Sequence, residues 1–131
     1  MKIFTIEEIE KAHEKVKTGA GFPGFIREIR SLGVERFETR VADGRTVYFG
    51  EDGFTKESGA VYTGLRIAAK VDKDEFVSCL HIHQQGHTDY LTFCRNCAET
   101  GVDKWVVDLN RKSCTYYDLD ENIVLEEQIP I

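Results

Sequence analysis

Proline occurs only twice in these 131 residues, at positions 23 and 130, and methionine and tryptophan once each. A polyproline linker or Pro-rich recognition segment is therefore excluded. No apolar run approaches the roughly 18 residues that a membrane-spanning helix needs, so no membrane partner is expected. Basic residues are in deficit: 17 Lys and Arg against 23 Asp and Glu leave a net charge of −6. The two signs alternate along the chain rather than forming a basic block, which argues against nucleic acid or an anionic membrane as partner. No Gly-rich phosphate loop follows a strand signal and no Ser/His/Asp order stands out, so no cofactor is expected. Met1-Lys2-Ile3-Phe4 runs straight into a helix signal, and no secretory leader is expected. The four cysteines then read as reduced thiols of a cytoplasmic protein, although the even count leaves disulfides formally open.

What the chain does hold is a self-match. Shifted by 68 residues, Phe25, Arg27, Gly33, Val34, Tyr48 and Asp52 fall on Phe93, Arg95, Gly101, Val102, Tyr116 and Asp120 without a gap. Phe37 falls on Trp105, and upstream Glu7 meets Glu75 and His13 meets His81. Matched glycines, aromatics and turn positions favour an internal duplication, with copies over about 1–63 and 64–131. The length suits a single domain, 1–131, able to bury about two-thirds of its unfolded-chain surface. Under that reading the shared positions are scaffold, and the differing ones are where a site could lie.

Each copy reads as two helices followed by a β-hairpin. Thr5-Ile6-Glu7-Glu8 is a capping box, after which Ile6, Ile9, His13 and Val16 recur at helical spacing and Gly19 stops the run. Pro23 suits the first turn of a second helix whose stripe is Phe22, Phe25, Ile26 and Ile29, closed by Gly33. A strand is predicted over 34–42 with Phe37, Thr39 and Val41 on one face, and Asp43-Gly44 turns it into a return strand over 45–49. Asp52-Gly53 marks a further turn. In the second copy Asp72 to Glu75 is another capping box, Gly86 ends the helix, and Thr88 or Asp89 caps the next, which closes at Gly101. Strands are expected at about 103–109, 113–118 and 122–128, with Pro130 ending the last. The stretch 65–69 reads as a short strand or a helical turn. These elements make an α+β fold with the helices on one face of antiparallel sheet, in one sheet or two.

Two groups of residues carry chemistry. Cys94 and Cys97 form a CxxC, and His83 and His87 lie nearby at i, i+4, so the four could ligate a metal, or the thiols could form a redox pair. Against this, both cysteines fall on the apolar stripe of their helix, on the positions where the first copy has Ile26 and Ile29, and the reading favours small core residues. Cys79 and Cys114 read as isolated thiols, and His13 and His81 as partly buried imidazoles. The second group is the helix–helix junction of residues 83–90. It is rich in donors and acceptors, and Gln84 stands where the first copy has Val16, on a face predicted to look inward. A buried amide must find partners. His83 and Gln84 either fix the junction backbone or belong to a ligand site, and a site for a small polar ligand would comprise His83, Gln84, Gln85 and Asp89.

The wording of residues 83–109 (HQQGxTDYxxFCxxCAxxGVxKWVVDL), with that of 37–53, resembles the YbcV-like family of small uncharacterised bacterial proteins, often labelled "phage envelope protein". The resemblance covers nearly the whole chain, with His87 where Lys is usual and Leu91 where Pro is common. It implies a soluble single domain and, by analogy, a prophage-associated setting, with no activity attached. The sequence thus points to a non-catalytic binding or interaction module, with a small polar ligand, a protein partner or a homo-oligomer open. The alternative is a metal- or thiol-dependent enzyme built on His83, His87, Cys94 and Cys97.

Overall fold

Thr5 starts the first helix as its spacing predicts: the side chain accepts from the Glu8 amide at 3.1 Å, and the Glu8 carboxylate accepts from the Thr5 amide at 3.0 Å. This satisfies orphan donors at both positions. The computed structural model describes residues 3–16 and 21–129. In order, α1 (Ile6–Glu14), α2 (Phe22–Leu32), β1 (Arg36–Arg40), β2 (Thr46–Phe49), a 3-10 turn at Glu51–Gly53 and β3 (Thr55–Glu57) make the first half. Then α3 (Lys73–Gln84), α4 (Tyr90–Glu99), β4 (Lys104–Asp108), β5 (Ser113–Tyr117) and β6 (Ile123–Gln128) make the second. The stop signals at Gly19 and Pro130 lie outside the described residues.

The two helical hairpins end alike. Gly33 takes φ +111° and Gly101 φ +90°, a left-handed conformation that costs glycine little. The amide after each bonds back into its helix, Val34 to the Ile29 carbonyl and Val102 to the Cys97 carbonyl. Local bonds of this kind also explain why β1 and β2 each start later than predicted. Val34 is occupied closing α2, and Arg45 is held in the turn by its amide bond to the Asp43 carboxylate. The stretch 65–69 is neither strand nor helix. It is pinned instead by Leu65 to the Ala42 carbonyl and Ala68 to the Ala98 carbonyl.

All strands join one antiparallel sheet in the order β3-β2-β1-β4-β5-β6. At its centre β1 pairs with β4, and Glu38 lies opposite Val106, its own counterpart in the 68-residue shift. The hairpins repeat the same register: Arg36 pairs with Phe49, and Lys104 with Tyr117. β3 was not predicted, because Thr-Lys-Glu is exposed on both faces and shows no alternation to read.

Helices pack against one face of the sheet. Phe37, Thr39, Val107, Trp105, Cys114 and Tyr116 share that face and are buried. Phe25 of α2 meets Phe37, Phe93 of α4 meets Trp105, and Phe76 of α3 meets Tyr116 at 4.9 Å. On the opposite face Arg36 sits over the Phe49 ring at 4.0 Å, and Lys104 reaches Glu121 at 3.0 Å. Burial thus alternates along β1, as a one-sided sheet requires, while in β4 Lys104 is buried on the opposite face as well.

Candidate ligand site

Between the two helical hairpins and the covered sheet face lies a cavity of about 730 Å³. Its floor is aromatic and hydroxylic: Phe37 and Thr39 from β1, Tyr48 from β2, Trp105 from β4 and Tyr116 from β5. Phe25, Tyr90 and Phe93 supply its walls from α2 and α4, and His13 and His83 face it from α1 and α3. Alternation along the strands aims these floor residues the same way, while α1/α2 and α3/α4 stand on either side. A space of this size matches the usual range for small-molecule pockets, about 300–1,000 Å³.

The polar groups are held in place by their neighbours. Thr39 and Thr46 hydroxyls bond each other at 2.9 Å. The His13 ring meets Phe25 edge-on at 5.2 Å and Tyr90 at 6.0 Å. His83 stacks flat on Phe93, at 4.4 Å and 8°, and its Nδ1 lies 3.1 Å from the Thr88 carbonyl and 3.0 Å from the Thr88 hydroxyl. A carbonyl only accepts, so this contact assigns the proton to Nδ1 and leaves Nε2 as an acceptor. Burial lowers the pKa of both imidazoles, in His83 against the opposing pull of Thr88 and Asp89. Burial likewise raises Tyr48 to about 12 and pushes Tyr90 and Tyr116 up. At neutral pH the cavity therefore holds uncharged imidazoles and phenols.

The residues singled out in the sequence divide. His83 and Gln84 line the cavity, but Gln85 and Asp89 are not among its lining residues. Gln84 is exposed rather than inward-looking, and its Nε2 donates to the Glu127 carboxylate of β6 at 2.9 Å. The stripe of Phe76 and Leu80 runs out at the last residue of α3, so Gln84 emerges at the cavity mouth. Asp89 is the cap of α4: its carboxylate accepts from the Thr92 amide at 2.8 Å, and hydrogen bonding from the Thr92 side chain and then its backbone amide holds its pKa below the usual range. Gln85 and His87 are exposed.

Cys94 and Cys97 are fully buried on the inner stripe of α4, where the match to Ile26 and Ile29 put them. Among the described residues no three His, Cys, Asp or Glu side chains converge as a metal site, so His83, His87, Cys94 and Cys97 are not assembled as four ligands. Burial raises the pKa of Cys94 and Cys97, and of Cys114 in the cavity wall to about 12. A protonated thiol is a poor nucleophile and a poor metal ligand.

Sequence reasoning missed most of the lining. The signal was present in the shifted pairs: Phe25/Phe93, Phe37/Trp105 and Tyr48/Tyr116 all face one space. His13 faces it too, from an exposed position at its edge, whereas its equally exposed shifted counterpart His81 does not line it and His83 takes the equivalent place against Phe93.

Residues 10–128 match the family described as "Protein of unknown function (DUF1398)". The chain belongs to that family. Among curated proteins it is similar to the uncharacterized protein Rv2012 of Mycobacterium tuberculosis and the uncharacterized protein Mb2035 of Mycobacterium bovis. Each is 26% identical over 107 residues, which covers 81% of this chain. The matched stretch spans 65% of the length of those relatives. The DUF1398 match runs from within α1 to the end of β6 and so includes every cavity-lining residue but Ile129. No helix among the described residues is long and apolar enough to cross a membrane.

Proposed function

We propose that this DUF1398 protein is a non-catalytic binding module that takes a small, largely apolar molecule into the cavity between its helical hairpins and its sheet. One observation carries the reading: a space of about 730 Å³ whose lining is more apolar than polar and rich in aromatic faces, with several of its polar groups, among them Thr39, Thr46, His83 and Gln84, already bonded to protein. Such pockets are the usual form of a ligand site in a small α+β protein. The ligand differs from the polar one expected of the junction at residues 83–90, because only His83 and Gln84 of that junction reach the space. The internal duplication that the 68-residue match favours fits the same reading, since two helix pairs set about the β1–β4 ladder leave a shared space between them. The YbcV-like wording of residues 83–109 adds a prophage-associated setting by analogy. The metal- or thiol-enzyme alternative is weakened by the raised thiol pKa values and by the dispersal of the four proposed ligands.

The test uses the one tryptophan of the chain as reporter. In a ¹⁵N–¹H spectrum, adding the neutral aromatic probe N-phenyl-1-naphthylamine should shift the Trp105 indole and the Thr39 and Thr46 amides. Lys56 and Val106, on the edge strand and the outer face, should stay still. Shifts confined to the outer face, or none at millimolar probe, would overturn the proposal.

A further inference from the structure

The cavity has a charge sign. Its lining holds two carboxylates, Glu10 of α1 and Glu127 of β6, and among the described residues it holds no Lys or Arg. Glu10 is exposed and Glu127 half-buried, so both stand where a ligand would enter rather than beneath it. The two acids belong to different halves of the chain. Glu10 acts electrostatically on Tyr48 and Glu127 on Tyr116, the tyrosines matched by the 68-residue shift. Each of these tyrosines belongs to a matching run of ring contacts, Tyr48 with Phe37 and Phe25, and Tyr116 with Trp105 and Phe93.

Aromatic faces carry negative potential, and a desolvated cation over them gains more than it does at an exposed site. An anion in the same place would meet ring faces and two carboxylates, with no basic side chain in the lining to receive it. The imidazoles do not change this balance, because burial favours their neutral forms. Nor does the interior ask for hydrogen bonds: among the described residues no fully buried side-chain polar atom lacks a partner. A ligand therefore needs bulk, aromatic contact and positive charge more than donors and acceptors.

We propose that the cavity selects hydrophobic organic cations, with Glu10 and Glu127 as the anionic pair at its mouth and the paired aromatic sets as the surface that holds the cation. This rests on the cavity being a ligand site, and the experiment separates the two claims. Gln84 tunes the pair, since its amide occupies one Glu127 oxygen at 2.9 Å.

Three probes of similar bulk are titrated against the full chain, read by quenching of Trp105 or by probe emission. They are tetraphenylphosphonium, tetraphenylborate and neutral N-phenyl-1-naphthylamine. Tetraphenylphosphonium should bind about tenfold or more tighter than tetraphenylborate, a difference of one decade in Kd. Raising salt should weaken the cation and leave the neutral probe unchanged, because only the charged contacts are screened. Glu10→Gln with Glu127→Gln should cost the cation about fivefold or more and leave neutral-probe affinity within a factor of about two, which also reports that the variant is folded. If the borate binds as tightly as the phosphonium, or the double variant binds the cation unchanged, the cation assignment is overturned. If the neutral probe binds and the cation does not, the cation assignment falls while the cavity reading stands. If none of the three binds, both fall.

Discussion

Gln84 Nε2 donates to Glu127 Oε1 at 2.9 Å, tying the last residue of α3 to the sixth strand across the mouth of the cavity. The contact spans 43 positions of sequence and joins an exposed amide to a half-buried carboxylate. It is the bond the amide needs, and it requires no ligand.

The first prediction follows from that exposure. An exposed hydrogen bond to a carboxylate contributes little net stability, because water replaces it on both sides. Gln84→Val, which places here the residue found 68 positions earlier, should therefore change urea-unfolding stability by less than about 1 kcal/mol. A loss of about 2 kcal/mol or more would show that the amide holds the junction together.

A second prediction concerns the thiols. Cys94, Cys97 and Cys114 are buried and Cys79 is partly exposed. Burial raises all four, and the neighbouring Glu75 carboxylate raises Cys79 further. In native protein a thiol reagent should modify Cys79 alone, and slowly at neutral pH, since the thiolate is the reacting form. All four should react at once in denaturant. Rapid native modification of Cys94 or Cys97 would mean that α4 opens far more readily than its packing implies.

Backbone strain gives the third. At Gly101 an added Cβ would come within 2.9 Å of the Lys70 carbonyl and of Val71 Cα, on top of a φ of +90°. Gly53 has a similar φ of +78° but nothing within 4 Å. The left-handed penalty alone is about 1–2 kcal/mol. Gly53→Ala should lose about that much, and Gly101→Ala clearly more, because the 70–71 connector must move as well. Equal losses in the two variants would remove the connector from the account.

The reach of the sequence can be judged on these same residues. Thr5, Asp72 and Asp89 were legible as caps, and Gly33 and Gly101 as stops, because each acts within a few residues of itself. Cys94 and Cys97 were legible as core because they fall on the apolar stripe of α4 and the positions 68 residues earlier, Ile26 and Ile29, are isoleucines. Gln84 was misread. Helical spacing places it on the inner stripe, but spacing does not tell where the stripe loses its packing partner. The cavity was not legible at all: it is unfilled space between residues as distant in sequence as His13, Thr39, His83 and Trp105. The edge strand Thr55–Glu57 stayed hidden because only its pairing to Val47–Phe49 makes it a strand.

The last prediction is a pH dependence. His13 sits between Phe25 and Tyr90 and His83 against Phe93, and burial lowers both pKa values in the folded chain. The unfolded chain titrates near the ordinary value, about 6.5. Between the folded and unfolded values the unfolded state binds more protons, so stability falls as pH falls. This contribution is fully present above about pH 6.5 and is lost progressively as the pH drops below it. The exposed carboxylates of Asp89, Asp118 and Glu121 have lowered pKa values, so they protonate only at more acidic pH and leave the interval from 6.5 to about 5 to the histidines. The unfolding midpoint in urea should decline across that interval, and His13→Gln should flatten the decline. His83→Gln should flatten it as well, since burial lowers that imidazole too, against the pull of Thr88 and Asp89. A midpoint constant down to pH 5, or a slope unchanged in His13→Gln, would mean that His13 is solvated and protonates freely within the fold.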